Sequence, residues 1–174
     1  MSKKSKPYRK NYVISIIIGL AAVVAVAVVA VGAREDNNVN QTQTSQGASA
    51  LVALEPAFDF GRISMTNGKV SREIKIKNTN DVPVTATRLS TSCMCTTAEL
   101  TYQGKSAGPF GMPGHGLIPG IKTVIQPGDE AIIKVVFDPA AHGPAGVGAI
   151  KREVYLEQAG GQRLTLNFSV FVTP

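Results

Sequence analysis

Cys93 and Cys95 are the only cysteines in the chain, and Met94 between them adds a third sulfur. Further along, Gly111-Met112-Pro113-Gly114-His115 supplies a thioether and one of the two imidazoles of the chain. Thiolate and thioether donors favour Cu(I), and a Cys2His set also suits Zn(II) as the second choice. The expected ligands are Cys93, Cys95, Met112 and His115, with Met94 and His142 as lesser candidates. Cu(I) accepts two or three ligands, so not all of these need bind. The glycines beside Met112 and His115 give the loop freedom to fold back over the cysteines.

Such a pair must be presented by some element. On a strand, residues two apart share a face. Cys93 and Cys95 would then offer two sulfurs together, with Met94 on the opposite face. Their Cα atoms would lie about 6.5–7 Å apart, at or beyond disulfide reach, so a bond between them would be strained and easily reduced. Three readings follow, in this order: a soft-metal site, buried cysteines filling the core of a structural or scaffolding domain, and a redox-active thiol pair.

Other chemistry finds little support. There is no carboxylate pair in a recognisable context, no phosphate-cradling glycine motif and no zinc-protease motif. Asp59 and Asp138 are read as turn caps. The expected role is therefore binding and not catalysis.

The organisation of the chain says where that binding would occur. Residues 1–11 are basic, with Lys3, Lys4, Lys6, Arg9 and Lys10. Residues 12–33 are almost purely apolar and, as a helix, would span about 33 Å, enough to cross a membrane. The basic flank is expected to stay in the cytoplasm, which places the remainder outside the cell membrane. A cleavable signal peptide is the rival reading, but its apolar region is usually shorter. Residues 34–50 are rich in Asn, Gln, Thr and Ser and read as a flexible tether. Residues 51–174 form the exported domain. The net charge of the chain is +6, but this domain holds 12 Lys and Arg against 10 Asp and Glu, a net of +2. The excess belongs to the membrane-facing tail, so nucleic acid is not an expected partner. The expected partners are the membrane, through the helix, and another exported protein. Lys151-Arg152 reads as part of a solvated strand face.

Period-two alternation dominates the domain and indicates strands. Leu164, Leu166, Phe168, Val170 and Val172 share one face. Ile150, Val154 and Leu156 mark the preceding strand, and Ala159-Gly160-Gly161-Gln162 the hairpin turn between the two. Ile133, Val135 and Phe137 mark another strand, entered through Gln126-Pro127-Gly128-Asp129. Val70, Ile74 and Ile76 precede the turn Asn78-Thr79-Asn80-Asp81, which leads into residues 82–89. Phe58-Asp59-Phe60-Gly61 reads as a short opening strand. About seven strands of this kind predict an all-β, immunoglobulin-like sandwich. The absence of tryptophan excludes the antibody type. Two Gly/Pro-rich segments, 103–120 and 138–149, fall outside the strand rhythm, and each carries one histidine.

In order, Phe58-Asp59-Phe60-Gly61, Asn78-Thr79-Asn80, Ser92-Cys93-Met94-Cys95-Thr96, Pro127-Gly128 and Phe137-Asp138-Pro139 resemble the motifs of domain-of-unknown-function family 1573. The resemblance covers roughly residues 55–172. It implies an exported bacterial domain, an immunoglobulin-type sandwich related to the ASH/MSP/hydin group, and no established activity. Two departures stand out: Met94 replaces the usual glycine between the cysteines, and the segment carrying Met112 and His115 is an insertion.

Overall fold

The computed structural model describes residues 49–116 and 118–174. The basic tail, the expected transmembrane helix and nearly all of the tether lie outside these residues. Among the described residues no helix is long and apolar enough to cross a membrane.

The described residues form ten strands: β1 (Leu51–Ala53), β2 (Ala57–Ser64), β3 (Val70–Asn78), β4 (Val84–Thr91), β5 (Thr96–Tyr102), β6 (Lys105–Phe110), β7 (Thr123–Ile125), β8 (Glu130–Phe137), β9 (Gly148–Gln158) and β10 (Arg163–Thr173). One sheet runs β1-β3-β8-β5-β6 and the other β2-β10-β9-β4-β7. All neighbours are antiparallel except β2 and β10, which run parallel. The architecture is all-β and consistent with an immunoglobulin-like sandwich.

The strand count exceeds the expected seven because β1 and β7 have three residues each and β6 lies in a segment read as irregular. Lys105–Phe110 shows no alternation and contains Gly108 and Pro109. It pairs only with β5, at the sheet edge, where proline costs no ladder hydrogen bond.

Alternation fixes which side chains face inward. Leu164, Leu166, Phe168, Val170 and Val172 are all buried along β10. They meet Ile74, Ile76, Ile133, Val135 and Phe137 from the other sheet in a single core. Phe58, Phe60, Phe137 and Phe168 pack ring against ring, with centroids 5.3–6.3 Å apart. Such contacts add to what burial alone contributes. Asn78, fully buried, ties two turns together: its side chain donates to the carbonyls of Val82 (2.9 Å) and Ile125 (3.0 Å) and accepts from the Asn80 N–H.

Two connections matter for function. The chain leaves β4 in one sheet, turns through Ser92–Cys95 and enters β5 in the other. It crosses back between β8 and β9 through residues 138–147, which carry a short 3-10 turn at Gly143–Gly146.

Candidate metal centre

Cys93 and Cys95 do not lie on a strand, as their spacing suggested. β4 ends at Thr91, and the cysteines occupy a tight turn closed by the Thr96 N–H donating to the Cys93 carbonyl at 3.1 Å. The cause is local. The buried Thr91 hydroxyl lies 3.0 Å from both the Cys93 and the Thr96 carbonyls, offering the backbone a partner other than the ladder. The turn is also held from both sheets. Ser92 exchanges hydrogen bonds with Glu153, donating through its N–H at 3.0 Å and accepting through its Oγ at 2.9 Å. The Cys95 carbonyl accepts from the Asp138 N–H at 2.9 Å.

The turn brings the two sulfurs together by another route than the one expected. Both cysteines are free and buried, while Met94 points outward, 49% exposed. The Cys95 N–H donates to the Cys93 sulfur at 3.4 Å, and the Cys95 sulfur lies 3.6 Å from the Thr96 hydroxyl.

The histidine beside them is His142, whose Nε2 lies 3.1 Å from the Cys93 sulfur. One ligand atom each from Cys93, Cys95 and His142 lie within 4.8 Å of one another. His115, the histidine favoured by sequence, is not in that group. The insertion does reach the corner, since the Gly111 carbonyl accepts from the Thr91 N–H at 3.1 Å. The chain then turns back on itself, the His115 N–H donating to the Met112 carbonyl at 3.2 Å, and leaves Met112 half-buried and His115 exposed.

His142 is delivered by the Phe137-Asp138-Pro139 motif. Phe137 anchors the end of β8 in the core, and the Asp138 carboxylate accepts from the Ala140 N–H at 3.0 Å, capping the turn as expected. Gly146 lets the loop close: a Cβ there would stand 3.1 Å from the Cβ of His142. Asp59 plays the other expected cap, accepting from the Gly61 N–H at 2.9 Å.

Arg152, expected on a solvated strand face, is instead turned toward the interior. Lys151 is exposed, but Arg152 pairs across the sheet with Phe168 and occupies the inward row that continues through Val154 and Leu156. Its position two residues before Val154 carried that information. One terminal nitrogen donates to the Lys151 carbonyl at 2.8 Å, while Nε is buried without a hydrogen-bond partner. Arg152 and His142 line one open depression of about 310 Å³, and Arg152, Ser92 and Phe58 line another of about 630 Å³.

The electrostatics make the two thiols unequal. Burial pushes the Cys93 thiol up, but hydrogen bonds from the Cys95 side chain and backbone, then from His142 and Arg152, outweigh it and bring Cys93 from 9.0 to about 7. Burial raises Cys95, and its hydrogen bond to Cys93 raises it further. A pair of thiols beside an imidazole, one of which ionises more readily than the other, can take a soft cation once both protons leave.

Comparison with known proteins places the domain. Residues 51–109 match the model of a family described as protein of unknown function, DUF1573. The resemblance drawn from the motifs therefore holds across the opening strand, the Asn78 turn and the cysteine turn, while the Asp138 and His142 segment lies beyond the matched residues. No curated protein matches the chain. Among solved structures, a protein of unknown function from Porphyromonas gingivalis superposes with a TM-score of 0.52 at 13% identity, over 72% of this chain and 48% of that one. The chain thus spans about half the length of that relative, and the likeness is one of fold. The ASH/PapD-like domain 7 of human CEP192 aligns at 11% identity with a TM-score of 0.41, over 72% of this chain and 87% of that domain.

Proposed function

We propose that this protein is a soft-metal-binding module of the cell envelope that holds Cu(I) through Cys93, Cys95 and His142. The observation that supports it is the convergence of two sulfurs and one imidazole within 4.8 Å. Three such donors suit a cation satisfied by two or three soft ligands, whereas a structural zinc site takes four. His142 replaces His115 in the ligand set. Met112, half-buried just beyond Gly111, stands as an auxiliary thioether. The reading goes with the apolar run at residues 12–33 acting as a membrane anchor, the domain lying outside, and an exported partner that donates or accepts the copper. It is a binding role with no catalytic step.

The test uses the full chain, purified in mild detergent, reduced and without oxygen, with Cu(I) titrated against a competing chelator. Wild type is expected to win copper from the chelator. Cys93→Ser with Cys95→Ser should lose that ability, His142→Ala should weaken it at least about tenfold, and His115→Ala should leave it unchanged. Equal, weak competition by wild type and the double serine variant would end the proposal.

One observation favours a second reading, thiol–disulfide exchange. The cysteines occupy a bent turn, which eases the Cα separation that an extended strand would impose, and Cys93 is the more ionised thiol. A reversible two-electron potential for the Cys93/Cys95 pair, with no copper retained, would favour that reading.

A further inference from the structure

Arg152 is an unusual side chain for its position. The inward row of β9 and its partner on β10 are otherwise mostly apolar: Val154, Leu156, Leu166, Phe168. A cation placed there with a buried, unpartnered Nε needs a reason. Ser92 and Glu153 exchange hydrogen bonds, which fixes the residue after Ser92 beside the residue before Glu153, namely Cys93 beside Arg152. Burial works against the guanidinium charge, and the Cys95 and Cys93 sulfurs restore it. Of the other charged groups near the corner, Asp138 faces Lys69 at 4.0 Å, and Lys151 and Glu153, which flank Arg152 with opposite charges, add little net field between them.

Resting on the soft-metal reading above, we propose that Arg152 sets the charge of the site so that it selects a monovalent thiophilic cation, Cu(I), over divalent zinc. Two metal-bound thiolates, a neutral imidazole and one guanidinium carry a single net negative charge. Cu(I) neutralises it. Zn(II) leaves a surplus positive charge in a partly buried corner, where uncompensated charge is costly. Without Arg152 the balance inverts: zinc becomes the neutralising ion and copper leaves a negative site. Arg152 lies beside the ligand Cys93 and is not itself a ligand, so it is a specificity-determining, positioning residue.

The test measures Cu(I) and Zn(II) affinities separately, each against a competing chelator, for the full-length wild type, Arg152→Gln and Arg152→Lys. The ratio of the two affinities is the readout, because a merely structural role would lower both together. Arg152→Gln is expected to shift the ratio toward zinc by at least about tenfold, a value discounted for partial exposure to solvent. Arg152→Lys, which keeps the charge, should restore most of the preference. Arg152→Met, matching the apolar row around it, serves if the glutamine variant does not fold. An unchanged ratio in the uncharged variants, with copper still bound by wild type, overturns the selectivity role and leaves the metal site standing. Failure of wild type to bind copper removes both.

Discussion

Replacing Cys93 by serine in the reduced, metal-free protein should change how stability responds to pH. In the folded domain Cys93 lies at about 7, because hydrogen bonds from Cys95, His142 and Arg152 outweigh burial, against 9.0 for an ordinary cysteine. Between these values the unfolded chain still holds a proton that the native state has released, so stability rises with pH. Below pH 7 both states hold the proton and the gain is absent; above pH 9 neither does and the gain is complete. The gap between 9.0 and about 7 corresponds to roughly 2–3 kcal/mol across that window. Cys95, held above its ordinary value by burial and by Cys93, acts the other way: its contribution is present below pH 9 and is lost above it. The pair therefore favours the fold most near pH 9. Guanidinium unfolding at about pH 6, 7.5 and 9, with a chelator and a non-thiol reductant present, checks this. Wild type should gain on Cys93→Ser by roughly 2 kcal/mol from the lowest to the highest pH. A difference that is flat or falls with pH would refute the assignment of Cys93 as the thiolate.

Gly146→Ala should loosen metal binding from outside the ligand set. The added Cβ would meet that of His142 at 3.1 Å and shift the ring, costing about tenfold in Cu(I) affinity in the same chelator competition, with thermal stability little changed. Thr91→Val removes the hydroxyl that faces the Cys93 and Thr96 carbonyls, and should cost about 1–3 kcal/mol by denaturant midpoint.

The strands that position the site were legible because their inward residues alternate without interruption, as in Leu164 to Val172 and Ile133 to Phe137. The cysteine turn was not. Placing Cys93 and Cys95 on a strand overlooks the Thr91 hydroxyl, which bonds the nearby Cys93 and Thr96 carbonyls and so favours a turn over the ladder. His142 lies 49 residues from Cys93 and reaches it only through the path of β8 back to the opposite sheet, so no local pattern could rank it above His115. The Phe137-Asp138-Pro139 motif, which ends three residues before His142, was the available hint. Arg152 is legible in principle: it has the same parity as Val154 and Leu156, and although the run Lys151-Arg152 suggests one solvated face, its two members point to opposite sides.

The chain passes between its two sheets through the cysteine turn and again through the His142 loop, and these two crossings touch. Antibody domains pin their sheets with a covalent bond through the middle of the core. Here the equivalent pin would be a coordinated ion at one end of the sandwich, removable by a chelator or a partner protein. Loading and unloading it would then stiffen and relax the seam between the sheets, so a domain that carries a metal at this corner also carries a record of its metal status in its mechanical strength.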